Sequence, residues 1–335
     1  MTPTAQRMRN FLLRPTRFVR ALFVASGLAL IAACASSGSS PGADDVGLPE
    51  TFDVLALNLW HGGDAGKRPL EDTVRVLRTA APDAVCFQEV RGLAEGRPDN
   101  AEALSARMGW SYMAFSGGRG VATRHRFAGR TRHAAIVELP SGRRVHVASV
   151  HLPAAPYQPY QLARIPYEGG RFISTEAEAI AEAKAARLAN LEALLEDLED
   201  PLDDDEPVVV AGDFNEPSHL DWTAAAARAG ACPIAVRWPG SALLEEAGLQ
   251  DAWRVLHPDP LAWPGHTWTP ITRPDDPQDR HDRIDRVHHR GAGLRPVRVK
   301  LVGESSATSD LVVAPWPSDH RGVLVSFLAT GAPAD

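Results

Sequence analysis

The sequence predicts an α/β domain, on three observations. From Thr51 onward apolar strands alternate with amphipathic helices, no long linker interrupts them, and 335 residues with 44% apolar content can bury one large core or two modest ones. Phe52 to Leu59 reads as a strand in which Phe52, Val54, Ala56 and Asn58 share one face by the two-residue period. A helix follows with Leu70, Val74 and Leu77 on one stripe, and Pro82 bars its continuation into the strand Ala84 to Val90. Asn100 to Met108 is a short helix closed by Gly109. Arg132 to Leu139 and Arg144 to Leu152 flank the turn Pro140, Ser141, Gly142 and read as a hairpin. A long helix covers Glu176 to Leu198, where Leu188, Leu191, Leu195 and Leu198 recur at helical spacing. The acidic stretch Asp197 to Glu206 reads as a solvated loop and Pro207 to Ala211 as a buried strand. Ser218 caps a helix with Asp221 three positions on, and Val323 to Leu328 closes the fold. All of this falls in one domain, residues 51–330.

Residues 1–33 stand apart. Arg7, Arg9, Arg14, Arg17 and Arg20 precede the uncharged apolar run Ala21 to Ala33, which is the plan of a secretory signal and falls short of the ~20 residues of a spanning helix. The run ends in Ile31, Ala32, Ala33, Cys34, which resembles the bacterial lipobox and implies acylation of Cys34. Ordinary cleavage near Ala33 or Ala35 is the alternative. Residues 34–50, rich in Ser, Gly, Pro and Asp, read as a flexible tether. The expected location is the cell envelope, lipid-anchored at the outer membrane or cell surface, otherwise periplasmic or secreted; a second acyl group makes such anchoring stable.

The formal charge is -7, and removing the five signal arginines leaves -7 minus 5, or -12, which argues against a general polyanion binder. Besides Cys34 only Cys86 and Cys232 occur, too few for a disulfide scaffold, and Cys86 sits in an apolar run that reads as core.

The chemistry-bearing residues stand at the ends of the strands. They are Asn58 in "LNLW", Gln88 and Glu89 in "CFQEV", His151 in "ASVHL", Asp213 and Asn215 in "VVVAGDFNEP", Asp285 in "DRIDRV", and Asp319 with His320 in "WPSDHRGV". Each type binds a hard cation or moves a proton. A phosphodiester is anionic and repels a nucleophile, so its cleavage needs positioning and neutralisation of charge on the non-bridging oxygens. A hard divalent ion held by one or two carboxylates and an amide oxygen meets that need, and an imidazole oriented by a carboxylate moves the proton. Singly, each residue has a plain structural reading: a strand-end turn at Asn58, a salt-bridged strand end at Glu89, a core histidine at His151, an Asx turn in "GDFN".

Together and in this order they resemble the endonuclease/exonuclease/phosphatase superfamily, over about Phe52 to Leu328. The specific parts are "QE", "GDFN", "RID" and "SDH", with "HTW" at His266 to Trp268 similar to the family's substrate-side element. The resemblance implies a four-layer sandwich, two packed mixed β-sheets flanked by helices. It implies Glu89 as main metal ligand with Asn58 beside it and Asp319 completing the shell, and Mg²⁺ or Mn²⁺ as cofactor. Asp213 and Asn215 would position or activate the water, His320 paired with Asp285 would be general base or acid, and His151 would hydrogen-bond the phosphate. Gln88 and Trp268 fall on the substrate side. Whether Asp213 or His320 takes the water's proton stays open, as does one metal or two. The segment Gly117 to His133 is more compact than the family pattern, and Tyr157, Tyr160 and Tyr167 either line the mouth or cover the core.

The expected function is therefore a Mg²⁺-dependent phosphoester hydrolase acting outside the cytoplasm, as a monomer, on a small or lipid-borne phosphoester. A surface or secreted nuclease is the alternative, supported by Arg119, Arg124, Arg126, Arg130, Arg132, Arg143 and Arg144 against Glu138 alone. A non-catalytic lipoprotein binding module is a further one. Nucleic acid is the less favoured partner; the membrane is met through the N-terminal lipid.

Overall fold

The computed structural model describes residues 50–94 and 96–330. The signal, Cys34 and the tether before Glu50 lie outside the described residues. Among the described residues no helix is long and apolar enough to cross a membrane.

Two mixed sheets form the frame. The first has seven strands, β1 (Glu50–Asn58), β2 (Ala84–Gln88), β3 (Ser111–Phe115), β4 (Arg119–Thr123), β11 (Leu294–Gly303), β12 (Leu311–Val312) and β13 (Gly322–Ala329), in the order β12-β11-β13-β1-β2-β4-β3. The second has six, β5 (Arg126–Arg130), β6 (Ala134–Glu138), β7 (Arg144–His151), β8 (Val208–Asp213), β9 (Gln250–Asp251) and β10 (Asp285–Arg290), in the order β5-β6-β7-β8-β10-β9. Pairs β1 with β2 and β7 with β8 are parallel, while β13 runs antiparallel to β1 and β10 antiparallel to β8. That polarity decides everything about the site, since β1, β2, β7 and β8 end at the pole where β10 and β13 begin.

The alternation of β1 divides its side chains between two cores. Phe52, Val54 and Ala56 pack between the sheets with Val147, Val209, Val287 and Phe327. Leu55, Leu57 and Leu59 pack on the outer face with Val74, Leu77 and Leu104 of the helices Leu70–Ala80 and Asn100–Met108. A strand buried on both faces reads as a near-continuous apolar run, which is why β8 is Val208, Val209, Val210, Ala211. Helices also cover the second sheet, with Leu162, Ile173, Ala179, Trp222 and Trp238 in a core of their own.

The helix Asn100–Met108 ends on Gly109 in left-handed geometry, and the hairpin β6–β7 turns at residues 140–142, as the sequence indicates. The long helix is interrupted by one wide turn, Lys184–Leu188, between Glu176–Ala183 and Ala189–Asp197. Two expectations are corrected. Ser218 caps no helix: its Oγ accepts from the Leu220 amide at 3.2 Å, and the next helix, Ala224–Arg228, is capped by Thr223. The reason is that Asp221 is drawn to Arg254 and Arg283, at 2.7 and 2.9 Å. The acidic stretch is not all loop, because Glu199–Asp203 forms a helical turn that buries Pro201 and Leu202.

Candidate active site

The pole where four strands end and two begin gathers the strand-end residues of the sequence. Glu89, just past β2, has its backbone in the left-handed region (φ 50°), as does Asn215 (φ 47°), and each such residue costs on the order of 1–3 kcal/mol that surrounding contacts offset. Gly212, at φ 142°, leaves no room for a side chain, since a Cβ there would collide with the Val150 carbonyl and come within 2.7 Å of Gln88 Nε2. This close passage lets β8 deliver Asp213 against the neighbouring sheet.

Asp285 Oδ2 meets His320 Nδ1 at 2.9 Å, with both side chains buried. His320 Nε2 faces Asp213 Oδ2 and Asp319 Oδ1, each at 3.9 Å. His151 Nε2 stands 3.7 Å from both Glu89 Oε1 and Asp213 Oδ2. Asn58 donates from Nδ2 to Glu89 Oε1 at 3.2 Å and to Asp213 Oδ2 at 3.1 Å, and its Oδ1 accepts from the Trp60 amide at 2.9 Å. Turning the amide round would set oxygen against two carboxylates and NH₂ against N–H, so the network fixes it. Asn58, expected as an oxygen ligand, therefore presents its NH₂ to the carboxylates and ties them together. Asn215 donates its amide to Asp213 Oδ1 at 2.8 Å and its Nδ2 to Asp213 Oδ2 at 3.1 Å, an Asx turn that aims the carboxylate.

Electrostatics separate the groups. Burial works to strip the proton from His320, and the facing carboxylates of Asp285 and Asp213 more than reverse this, raising its pKa well above the ordinary value. Burial pushes the Asp213 carboxyl up to about 6, against the pull of His320. Glu89 goes the other way: burial raises it, but His151, His320 and the Asn58 and His61 hydrogen bonds hold it below the usual carboxylate range. Asp319 is raised by burial and by Glu89.

A hard cation fits this donor set. Asp319 Oδ1 and Asp285 Oδ1 are buried with no hydrogen-bond partner, and four carboxylates crowd a space where uncompensated charge is costly. Asp213, Asp285 and His320 bring one ligand atom each within 4.8 Å of one another, enough to hold a metal. The Nδ1 of His320 is already engaged by Asp285, which suits that trio to moving a proton, and leaves Glu89 and Asp319 as the freer oxygen donors.

Gln88, expected on the substrate side, is fully buried, its Nε2 donating to Cys86 O and Ser149 Oγ, both at 2.9 Å. It joins the two sheets beneath the site. Trp268 is half-buried, lies 6.3 Å from the His320 ring and packs edge-on against Tyr157. Tyr157 and Tyr160 are buried and so cover the core, whereas Tyr167 is half-buried, its hydroxyl pKa raised by burial and by the charges of Glu168, Glu89, Asp319 and Asp213. Tyr167 is the most exposed member of the cluster.

Sequence reasoning missed three residues. His61 donates its amide to Glu89 Oε2 at 3.0 Å and holds its ring nitrogen 3.8 Å from the same oxygen. Thr267 Oγ1 accepts from the amides of Ile284 and Asp285, at 3.1 and 3.0 Å, fixing the start of β10. Ser318 Oγ donates to Asn58 O at 2.7 Å and accepts from the His320 amide at 3.1 Å, joining β1 to the loop before β13. The Thr in "HTW" and the Ser in "SDH" were visible signals; His61 had none beyond following "LNLW". A recess of about 320 Å³ around His219, Asp251 and His288 contains none of the site residues and is separate from this chemistry.

The fold and site define a hydrolase-type α/β sandwich with acid–base and cation-binding groups at one pole. The sequence profile of the endonuclease/exonuclease/phosphatase family matches residues 55–320, and the chain belongs to that family. It is 25% identical over 310 residues to an uncharacterized protein of Caenorhabditis elegans, covering 82% of this chain and 90% of that one. Among solved structures it is similar to an endonuclease/exonuclease/phosphatase from Beutenbergia cavernae, with TM-score 0.50, 20% identity, and coverage of 85% of this chain and 73% of that one. A truncated TDP2 of Caenorhabditis elegans is similar in fold, with TM-score 0.52, 16% identity, and coverage of 83% and 98%. Members of this family are typically hydrolytic enzymes acting on phosphoesters, generally with a divalent metal.

Proposed function

We propose that the protein is an extracytoplasmic, Mg²⁺- or Mn²⁺-dependent phosphoester hydrolase, a phosphodiesterase or phosphatase of small or lipid-borne phosphoesters, exported and held by a lipid at Cys34. The observation that carries this is the His320–Asp285 pair at 2.9 Å facing Asp213, with Glu89, Asp319 and His151 around it. Glu89 and Asp319 would hold the ion, which when bound neutralises charge on the phosphoryl oxygens. Asp213, aimed by Asn58 and Asn215, takes the proton of the attacking water. His320 is kept protonated by its two carboxylate neighbours and donates from Nε2 to the oxygen that gains charge as the ester bond breaks. His151 Nε2, 3.7 Å from Asp213, supplies a donor for a non-bridging oxygen from the other side.

The nuclease reading loses its main support in the arginine stretch. Arg124 is paired with Asp83, Arg126 and Arg144 face Glu138, and the Arg143 guanidinium bonds the Thr330 carbonyl. Too few guanidinia remain free to track a phosphate backbone. The test is hydrolysis of bis-p-nitrophenyl phosphate with and without EDTA, then a panel of plasmid DNA, sphingomyelin, phosphoinositides and sugar phosphates. Chelator-sensitive turnover with the small and lipid phosphoesters supports the reading; chelator-insensitive turnover, or rapid salt-sensitive loss of plasmid alone, overturns it.

A further inference from the structure

Beside the catalytic cluster lies a pocket of about 290 Å³, lined by Ser116, Gly117, Arg119, His133, His151 and the helix Ala189–Asp197. It is at the small end of ligand pockets, the size for one group of a molecule. His151 belongs to both the pocket and the site. Arg119 stands at the start of β4, next to Gly120, which pairs with Phe87 two residues before Glu89, so its backbone lies at the catalytic pole. Its guanidinium crosses to the second sheet, donating from Nη1 to Ser149 O at 2.8 Å and from Nε to Ser116 O at 2.9 Å.

Arg119 is a half-buried cation with no carboxylate partner among the described residues, and burial pulls its pKa down. A guanidinium removed from water is normally matched by an anion. Asp197, at the end of the lining helix, is already taken by Thr131 Oγ1 and by the amides of Arg132 and His133, and Glu89 and Asp213 face His151 instead. The rest of the lining is apolar or neutral: Val150, Leu152, Leu191 and Leu194. Positive charge, a small recess and adjacency to His151 come together at one place.

We propose that this pocket is an anion subsite that seats a second phosphoryl group of the substrate, next to the scissile one. The proposal rests on the phosphoester-hydrolase reading and narrows its substrate class to compounds carrying two phosphoryl groups close together, with Arg119 as the specificity-determining residue. The second phosphate accepts from the guanidinium edge left over by Ser149 and Ser116, and the apolar wall accommodates part of its carrier.

The test compares Arg119→Gln with wild type on one substrate with a single phosphoryl group and on two with a pair. Bis-p-nitrophenyl phosphate is the first; inositol 4,5-bisphosphate in solution and phosphatidylinositol 4,5-bisphosphate in phosphatidylcholine vesicles, each with vicinal phosphates, are the others, and separate a soluble source from a lipid one. The two-phosphate substrates should lose ~10–100-fold more kcat/KM than bis-p-nitrophenyl phosphate, through KM, as one charge-assisted hydrogen bond predicts. Arg119→Lys should recover part of the loss. Asn190→Asp, on the exposed rim of the pocket, should raise the same KM values without touching an internal hydrogen bond. Calorimetric titration with pyrophosphate in EDTA gives a readout independent of turnover, and Arg119→Gln should weaken that binding at least ~10-fold. Equal losses on all substrates, or unchanged pyrophosphate binding, overturn the subsite. Absence of hydrolysis of every phosphoester would instead defeat the hydrolase reading, and the titration would still decide the pocket.

Discussion

Two aspartates three positions apart, Asp282 and Asp285, should fail in opposite ways. Asp285 is fully buried and its contact with His320 Nδ1 is 2.9 Å. Asp285→Asn keeps the volume but removes the charge that sets the imidazole tautomer and stabilises its protonated form. By comparison with other carboxylate–imidazole pairs, kcat should fall ~10³–10⁴-fold with little change in KM. Asp282 is 3% exposed and accepts from Arg280 at 2.7 and 2.9 Å, from Tyr157 Oη at 2.9 Å and from Trp222 Nε1 at 3.3 Å. In the fold, Asp282→Ala strands a partly buried guanidinium and two donors, which costs about 3–5 kcal/mol. For a domain of this size that lowers Tm by about 6–20 °C, while the folded fraction keeps most of its kcat. Steady-state kinetics at 15 °C on p-nitrophenyl esters, paired with thermal melts of both variants, separate the two. Near-wild-type kcat in Asp285→Asn, or an unchanged Tm with lost kcat in Asp282→Ala, would refute the assignment.

Four further outcomes are expected. Glu89→Gln should abolish turnover while leaving Tm equal or slightly higher, because it removes one of several crowded carboxylates; calorimetric Mn²⁺ titration should show weakened binding, and full activity in excess chelator would rule out the metal role. Gly212→Ala should destabilise the domain by several kcal/mol, on the order of 3 or more, since the Cβ meets backbone rather than a movable side chain; a melt within about 2 °C of wild type would contradict this. Stability should fall as pH drops from 6.5 toward 4, because burial holds His266 and His289 at about 4 and His288 at about 3, so the unfolded chain binds protons the folded chain refuses; His320, raised instead, contributes fully below 6.5 and loses its stabilisation only on the alkaline side. A flat Tm across that acid range would count against it. Cys34→Ser should move the protein from the membrane to the soluble fraction on cell fractionation, and unchanged membrane association would remove the lipid proposal.

Strand-end residues were legible because they interrupt apolar runs: Asn58 after "VLAL", Asp213 after "VVVAG" and His151 after "VASV" each mark the point where a buried strand ends at the catalytic pole. The choice of Asp285 was likewise legible from "RID", whose Arg283 turns away to Asp221 and Asp251. What stayed hidden depends on distant partners. Gln88 reads as polar and therefore exposed, yet its Nε2 donates to Ser149, 61 positions on, between the sheets. Asp221 fits a capping pattern, but two arginines at 33 and 62 positions' separation claim it. The orientation of the Asn58 amide follows from Glu89, Asp213 and the Trp60 N–H together, none of which local pattern can supply.

The direction of β1 has a consequence for reach. The strand starts at Glu50 and delivers Asn58 to the catalytic pole, and at ~3.3 Å per residue its nine residues separate those ends by about 27 Å. Antiparallel β13 returns Ala329 to the side of Glu50, so the polypeptide both enters and leaves the domain on the face turned away from catalysis. Anything joined to the domain at Glu50 or Ala329 therefore attaches on the far side from the substrate mouth, so that a bulky addition at either point leaves access to the catalytic pole open.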